Sequence, residues 1–226
     1  MISKFMTAAL GMVGLFGVSA ASAAPVSFSS NGSFSNISGC NSGSPSCHIS
    51  SGGNFLDMSG GNNSTLTAND FGPSSFNTDA NDVTIGQLTW VNRASGGFFS
   101  PTDQNFSVNY QLTLTFTQPN ADIANQTFNL NVQQPTNPPG DTVSGFLITG
   151  LPATFNLGGV TVSDFRFTEI GSGSFTNGVW FSPENTTSVL RLTADFTAVP
   201  EPASLALFGA GLLGLGMVRR ARRSRA

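Results

Sequence analysis

The sequence predicts an all-β fold: a β-sandwich, jelly-roll-like, between two apolar end segments. Three observations carry this. Phe106, Val108, Tyr110, Leu112, Leu114 and Phe116 alternate with polar residues without a break, the pattern of a strand buried on one side. No amphipathic helical period occurs between the two ends, where apolar runs are short and joined by Gly, Ser, Asn and Pro. The chain's 20 phenylalanines supply bulk for a core between two sheets.

The elements follow in order. Lys4, an apolar run from Phe5 to Val18, and Ala21-Ser22-Ala23 have the three parts of a signal peptide. Residues 1–23 are therefore expected to direct export through the Sec machinery and to be removed by signal peptidase after Ala23, with Ala21 and Ala23 as the small-residue cleavage signal. A secreted domain is expected over 24–198. Its first part, 24–82, is rich in Gly, Ser and Asn with brief apolar touches at Val26, Phe28, Phe34, Phe55 and Leu56, and reads as short strands joined by long loops. Cys40 and Cys47 are the only cysteines, and an even count in an exported chain predicts a disulfide. A metal site of Cys40, Cys47 and His48 would lack an evident fourth ligand.

From Val83 the strand signal sharpens. Phe128, Leu130 and Val132 alternate with Asn129 and Asn131, and Pro135 to Asp141 reads as a turn or loop. Val160 and Val162 share one phase while Phe165 and Phe167 take the other, which predicts a bulge near Ser163 and Asp164. Leu190, Leu192, Ala194 and Phe196 mark the last strand.

The segment 199–226 has a different character. Ala203 to Val218 carries no charge, and Arg219, Arg220, Arg222, Arg223 and Arg225 follow directly. Such a run would form a helix of roughly 24 Å, a short membrane span, with its basic end cytoplasmic. Pro200 and Pro202 flank Glu201; each proline lacks an N–H and disfavours helix before it, so the tetrapeptide from Val199 is expected to be extended. The Pro-Glu-Pro motif, the apolar span and the basic end, in this order, resemble the PEP-CTERM sorting signal of Gram-negative bacteria. That resemblance implies recognition by an exosortase, an integral-membrane cysteine enzyme. The protein would be anchored transiently in the inner membrane with its domain periplasmic, then delivered to the cell surface or extracellular matrix.

The body, from about Val26 to Thr197, resembles the choice-of-anchor K domain. The likeness lies in Ile85 to Asn92, the strand 106–117, Phe128 to Val132 before Pro135-Thr136-Asn137, and Glu184 followed by Ser188 to Thr193. It implies a secreted bacterial domain and carries no catalytic residues over. Between Ala24 and Ala198, Arg93, Arg166 and Arg191 face eleven acids, 3 − 11 = −8, with no lysine. Such a surface is unsuited to nucleic acid.

Catalytic patterns are sparse. His48 is the only histidine, and no serine or cysteine context pairs with it. Glu169 and Glu184 are the only glutamates of the body, and a glycoside hydrolase would have to use them together. Asn77, Asp79 and Asn81 place oxygens at alternate positions, as calcium loops do, but the chain lacks the Gly and Glu of an EF-hand at the required places. No other cofactor is expected. The sequence thus points to a non-enzymatic surface or matrix protein, associated with exopolysaccharide or biofilm. The alternative is a carbohydrate-binding module, for which Trp90, Trp180 and Tyr110 would form an exposed platform.

Overall fold

The computed structural model describes residues 25–40, 47–58, 64–94, 104–135, 140–148, 154–156 and 160–199, together with Gly209, Gly211, Leu212 and Gly214. Almost all of it is strand, in two seven-stranded antiparallel sheets. The first sheet runs, edge to edge, β12 (Ser174–Thr176), β13 (Val179–Ser182), β9 (Asp141–Ser144), β8 (Asp122–Gln134), β7 (Gln104–Gln118), β1 (Pro25–Ser38) and β5 (Phe71–Asn77). The second runs β10 (Thr154–Asn156), β11 (Val160–Gly171), β14 (Thr186–Ala198), β6 (Ala80–Asn92), β4 (Thr65–Asn69), β3 (Phe55–Asp57) and β2 (His48–Ile49). β2–β3–β4 and β7–β8–β9 are meanders; elsewhere the chain crosses repeatedly between the sheets. Four tail positions, Gly209, Gly211, Leu212 and Gly214, are helical. Among the described residues no helix is long and apolar enough to cross a membrane.

The inner faces meet in one apolar core. Ring contacts join the sheets: Phe28 of β1 lies 6.2 Å from Phe196 of β14, and Trp90 of β6 lies 5.2 Å from Trp180 of β13. Strand β7 buries the side chains of Phe106 to Phe116 that alternate in the sequence, and pairs with β8 in unbroken register from Gln104↔Gln134 to Phe116↔Asp122. In β11 the pairing with β14 shifts between Ser163 and Arg166, with Asp164 at a φ of 53°. The bulge lies where the two apolar phases meet. Arg166, just beyond it, is ion-paired with Asp82, Asp164 and Asp195, tying β11 to β6 and β14.

The N-terminal region departs from the short-strand expectation. Pro25–Ser38 is a single 14-residue strand inside the first sheet, paired on both sides. Its inward positions include Ser30 and Gly32, which break the apolar alternation. Gly32 is small because the core requires it: a Cβ there would lie 2.7 Å from the Ala68 Cβ and 2.9 Å from the Tyr110 hydroxyl.

Cys40 and Cys47 are joined in a disulfide with Cα atoms 6.0 Å apart. With both sulfurs joined, neither is a thiolate ligand for a metal. Closing so small a loop limits the unfolded chain, and chain-entropy arithmetic gives about 2.5 kcal/mol. Replacing both cysteines with serine is expected to lower unfolding stability by about 2 kcal/mol, read by urea denaturation.

Candidate functional site: a buried carboxyl pair and the sorting tail

The most unusual chemistry in the fold lies where β8 ends, β9 begins and the β13–β14 turn crosses between sheets. Asp141 was expected in a loop. It instead opens β9 and pairs with Ser182 of β13. Glycines on both sides let this short strand fit. At Gly140 a Cβ would lie 2.5 Å from the Ser182 carbonyl oxygen. Gly145 has a φ of 102°, and a Cβ there would lie 2.1 Å from the Asn129 carbonyl oxygen.

Asp141 is 1% exposed. Its Oδ2 accepts a 3.2 Å hydrogen bond from Gln134 Nε2. Its other partner is Glu184, in the turn after β13. Burial, and then the charge of Glu184, push the Asp141 carboxyl up to about 7. Burial also raises Glu184, opposed by its hydrogen bond from Asp141. Burial and the neighbouring carboxyl together favour the protonated form of Asp141, which can then donate to Glu184.

Buried polar groups surround the turn. Asn92 Nδ2 donates to the Ser182 carbonyl at 2.8 Å, Ser64 Oγ donates to Asn92 Oδ1 at 3.3 Å, and Ser188 Oγ donates to Ser182 Oγ at 3.0 Å. Asn185, at a φ of 58°, accepts from the Ala94 N–H. These bonds connect β6 and β14 of one sheet to β13 of the other. The nearby Trp90 and Trp180 rings are both 0% exposed, and neither indole N–H has a partner among the described residues.

The arrangement differs from the sequence-derived site residues in two ways. Glu184 was considered with Glu169; its carboxyl partner is Asp141, while Glu169 Oε1 accepts from the Gly173 N–H at 3.0 Å. The second correction concerns the aromatic platform. Trp90 and Trp180 are fully buried and Tyr110 is 3% exposed, because all three fall on inward positions of their strands. They form core and offer no face to a sugar.

The oxygen-rich turn after β5 is engaged within the fold. Asp79, at a φ of 69°, donates its N–H to the Phe196 carbonyl, and its Oδ1 accepts from the Ala198 N–H at 3.1 Å. Asn77 and Asn81 flank it on β5 and β6, both exposed. Among the described residues no group of three or more His, Cys, Asp or Glu could hold a metal ion. Asp79 thereby fastens the end of β14 where the chain leaves the body.

Ala21, Ala23, Pro200, Glu201, Pro202, Arg219, Arg220, Arg222, Arg223 and Arg225 lie outside the described residues. For the tail, comparison with known proteins is informative: residues 198–223 match the PEP-CTERM protein-sorting motif. No curated protein matches the chain. The motif begins at Ala198, the residue held by Asp79. It marks an exported protein addressed to an exosortase and sorted from the membrane to the cell surface.

Proposed function

We propose that this chain is a non-enzymatic surface or matrix protein of a Gram-negative bacterium. The β body 24–198 is exported after removal of residues 1–23. It is held by 203–218 with the arginine end cytoplasmic, then released by exosortase into an exopolysaccharide layer. The observation that carries this reading is the sorting motif at 198–223, which begins on the last residue of β14, itself fastened to the body. The resemblance of the body to choice-of-anchor K domains agrees with a domain defined by delivery. No cofactor enters the reading, and neither does a reaction: Asp141 is buried out of a substrate's reach, and Glu184 beside it is half-buried.

Pro200 and Pro202 preset an extended backbone, so an enzyme capturing the motif orders little chain. Glu201 supplies one charge close to the membrane surface. Changing both prolines to alanine lets helix extend through the motif, and Glu201→Gln removes the charge with little change of shape. Either change is expected to leave export intact and abolish processing, so that full-length anchored protein accumulates. C-terminal mass spectrometry in a host carrying the exosortase reads the outcome. Normal maturation of both variants would reduce the tail to a plain anchor.

A further inference from the structure

The outer face of the first sheet is uniformly polar across its central strands. Every outward position of β1 from Ser27 to Ser35, of β7 from Asn105 to Thr115, and of β8 from Asn125 to Gln133 is Ser, Thr, Asn or Gln. Register aligns them into rows across the strands. One row is Ser38↔Ser107↔Asn131↔Ser144, and Asn105↔Gln133↔Thr142 lies beside it. Strands about 4.8 Å apart set the spacing of groups along each row. Where these two rows meet, the face holds an open depression of about 440 Å³. Asp70 touches this polar surface at Asn31, Ile123 interrupts it at the start of β8, and the two rows end on Val179 and Phe181 of β13, which pair with Ser144 and Thr142; across β1, β7 and β8 it is otherwise amide and hydroxyl. The second sheet differs, carrying Arg166, Arg191 and Asp57 on its outer side.

We propose that this face binds a strand of uncharged polysaccharide, seated along the rows at Ser107, Asn131 and Gln133. Amides offer donors and acceptors together, hydroxyls do both, and sugar hydroxyls match them group for group. Charge selects among partners. The face has no cations for nucleic acid or for an acidic polymer, and the −8 body repels uronate-rich chains and a second copy of itself. A neutral glycan meets no such penalty. This rests on reading the body as a matrix protein, but its test uses purified protein, so its failure leaves tail processing untouched.

Full-length protein in detergent micelles is mixed with insoluble cellulose, linear β-1,3-glucan and galactomannan, and with calcium-alginate beads as the acidic control, and depletion from solution is measured. At least one uncharged polymer is expected to retain the protein, equally in low salt and in about 1 M NaCl, since no ion pair is involved. Alginate is not. Asn131→Ala with Gln133→Ala, both exposed, should weaken retention about tenfold without lowering the melting temperature. Thr168→Ala, on the outer side of the second sheet, should change nothing. The proposal is overturned if none of the three neutral polymers retains the protein, if the double variant binds as well as the parent, or if salt abolishes retention. It is also overturned if sedimentation shows the face to be a self-association surface that the double variant disrupts.

Discussion

Raising the pH from about 4 to about 8 is expected to destabilise the body, with Asp141 accounting for on the order of 3 kcal/mol. The sign is the reverse of the usual carboxylate. Asp141 ionises near its ordinary value, 3.8, when unfolded and near 7 when folded. Between those values the native state binds more protons, so stability falls as pH rises. The contribution is full below about pH 4 and lost as pH passes through about 7. Asp141→Asn copies the protonated form: its amide can donate to Glu184 and its oxygen can still accept from Gln134. The variant should therefore match the parent at about pH 4 and exceed its stability at about pH 8 by on the order of 3 kcal/mol. Urea titrations of both proteins across this range decide the matter. A parent–variant difference that does not change with pH would mean the pair holds no extra proton. The link to structure is direct, since the pair fastens β9 to the β13–β14 turn that crosses between the sheets.

Trp180→Ala is expected to cost about 3–5 kcal/mol, and Trp180→Phe, which leaves a smaller cavity, clearly less. The large value comes from emptying a fully buried site that touches Trp90 at 5.2 Å and Phe146 at 6.2 Å. Trp90 belongs to one sheet and Trp180 to the other, so the cavity would open at their junction. Phenylalanine keeps most of the ring. It also deletes an indole N–H that has no partner among the described residues, so no hydrogen bond is lost with it. Chemical denaturation of the two variants separates the terms. Equal losses would show that the N–H, rather than the ring, holds the site together.

Much of the fold was legible because strand burial has a period of two. β7, β8 and β14 carry that period in plain view, and the slip between Val162 and Phe165 announced the bulge that Asp164 accommodates. β1 was less legible. Ser30 and Gly32 occupy inward positions, and nothing local says that Ala68 and Tyr110 press so closely on Gly32 that only hydrogen fits. The carboxyl pair was hidden for a related reason. Asp141 and Glu184 stand 43 positions apart (184 − 141), one in a stretch with the composition of a loop and one in a turn.

The sequence by itself determined where the chain is addressed and that its body is β. An address is read by other proteins from a short contiguous stretch, and alternation is a local property of the strand. Only the tertiary structure decided that the tryptophans are core, that Asp79 fastens the end of β14, and that Asp141 is buried beside Glu184 with its carboxyl pushed up. Burial and proton affinity depend on which distant strands become neighbours. Sheet order and register set that, and neither is written in any single segment.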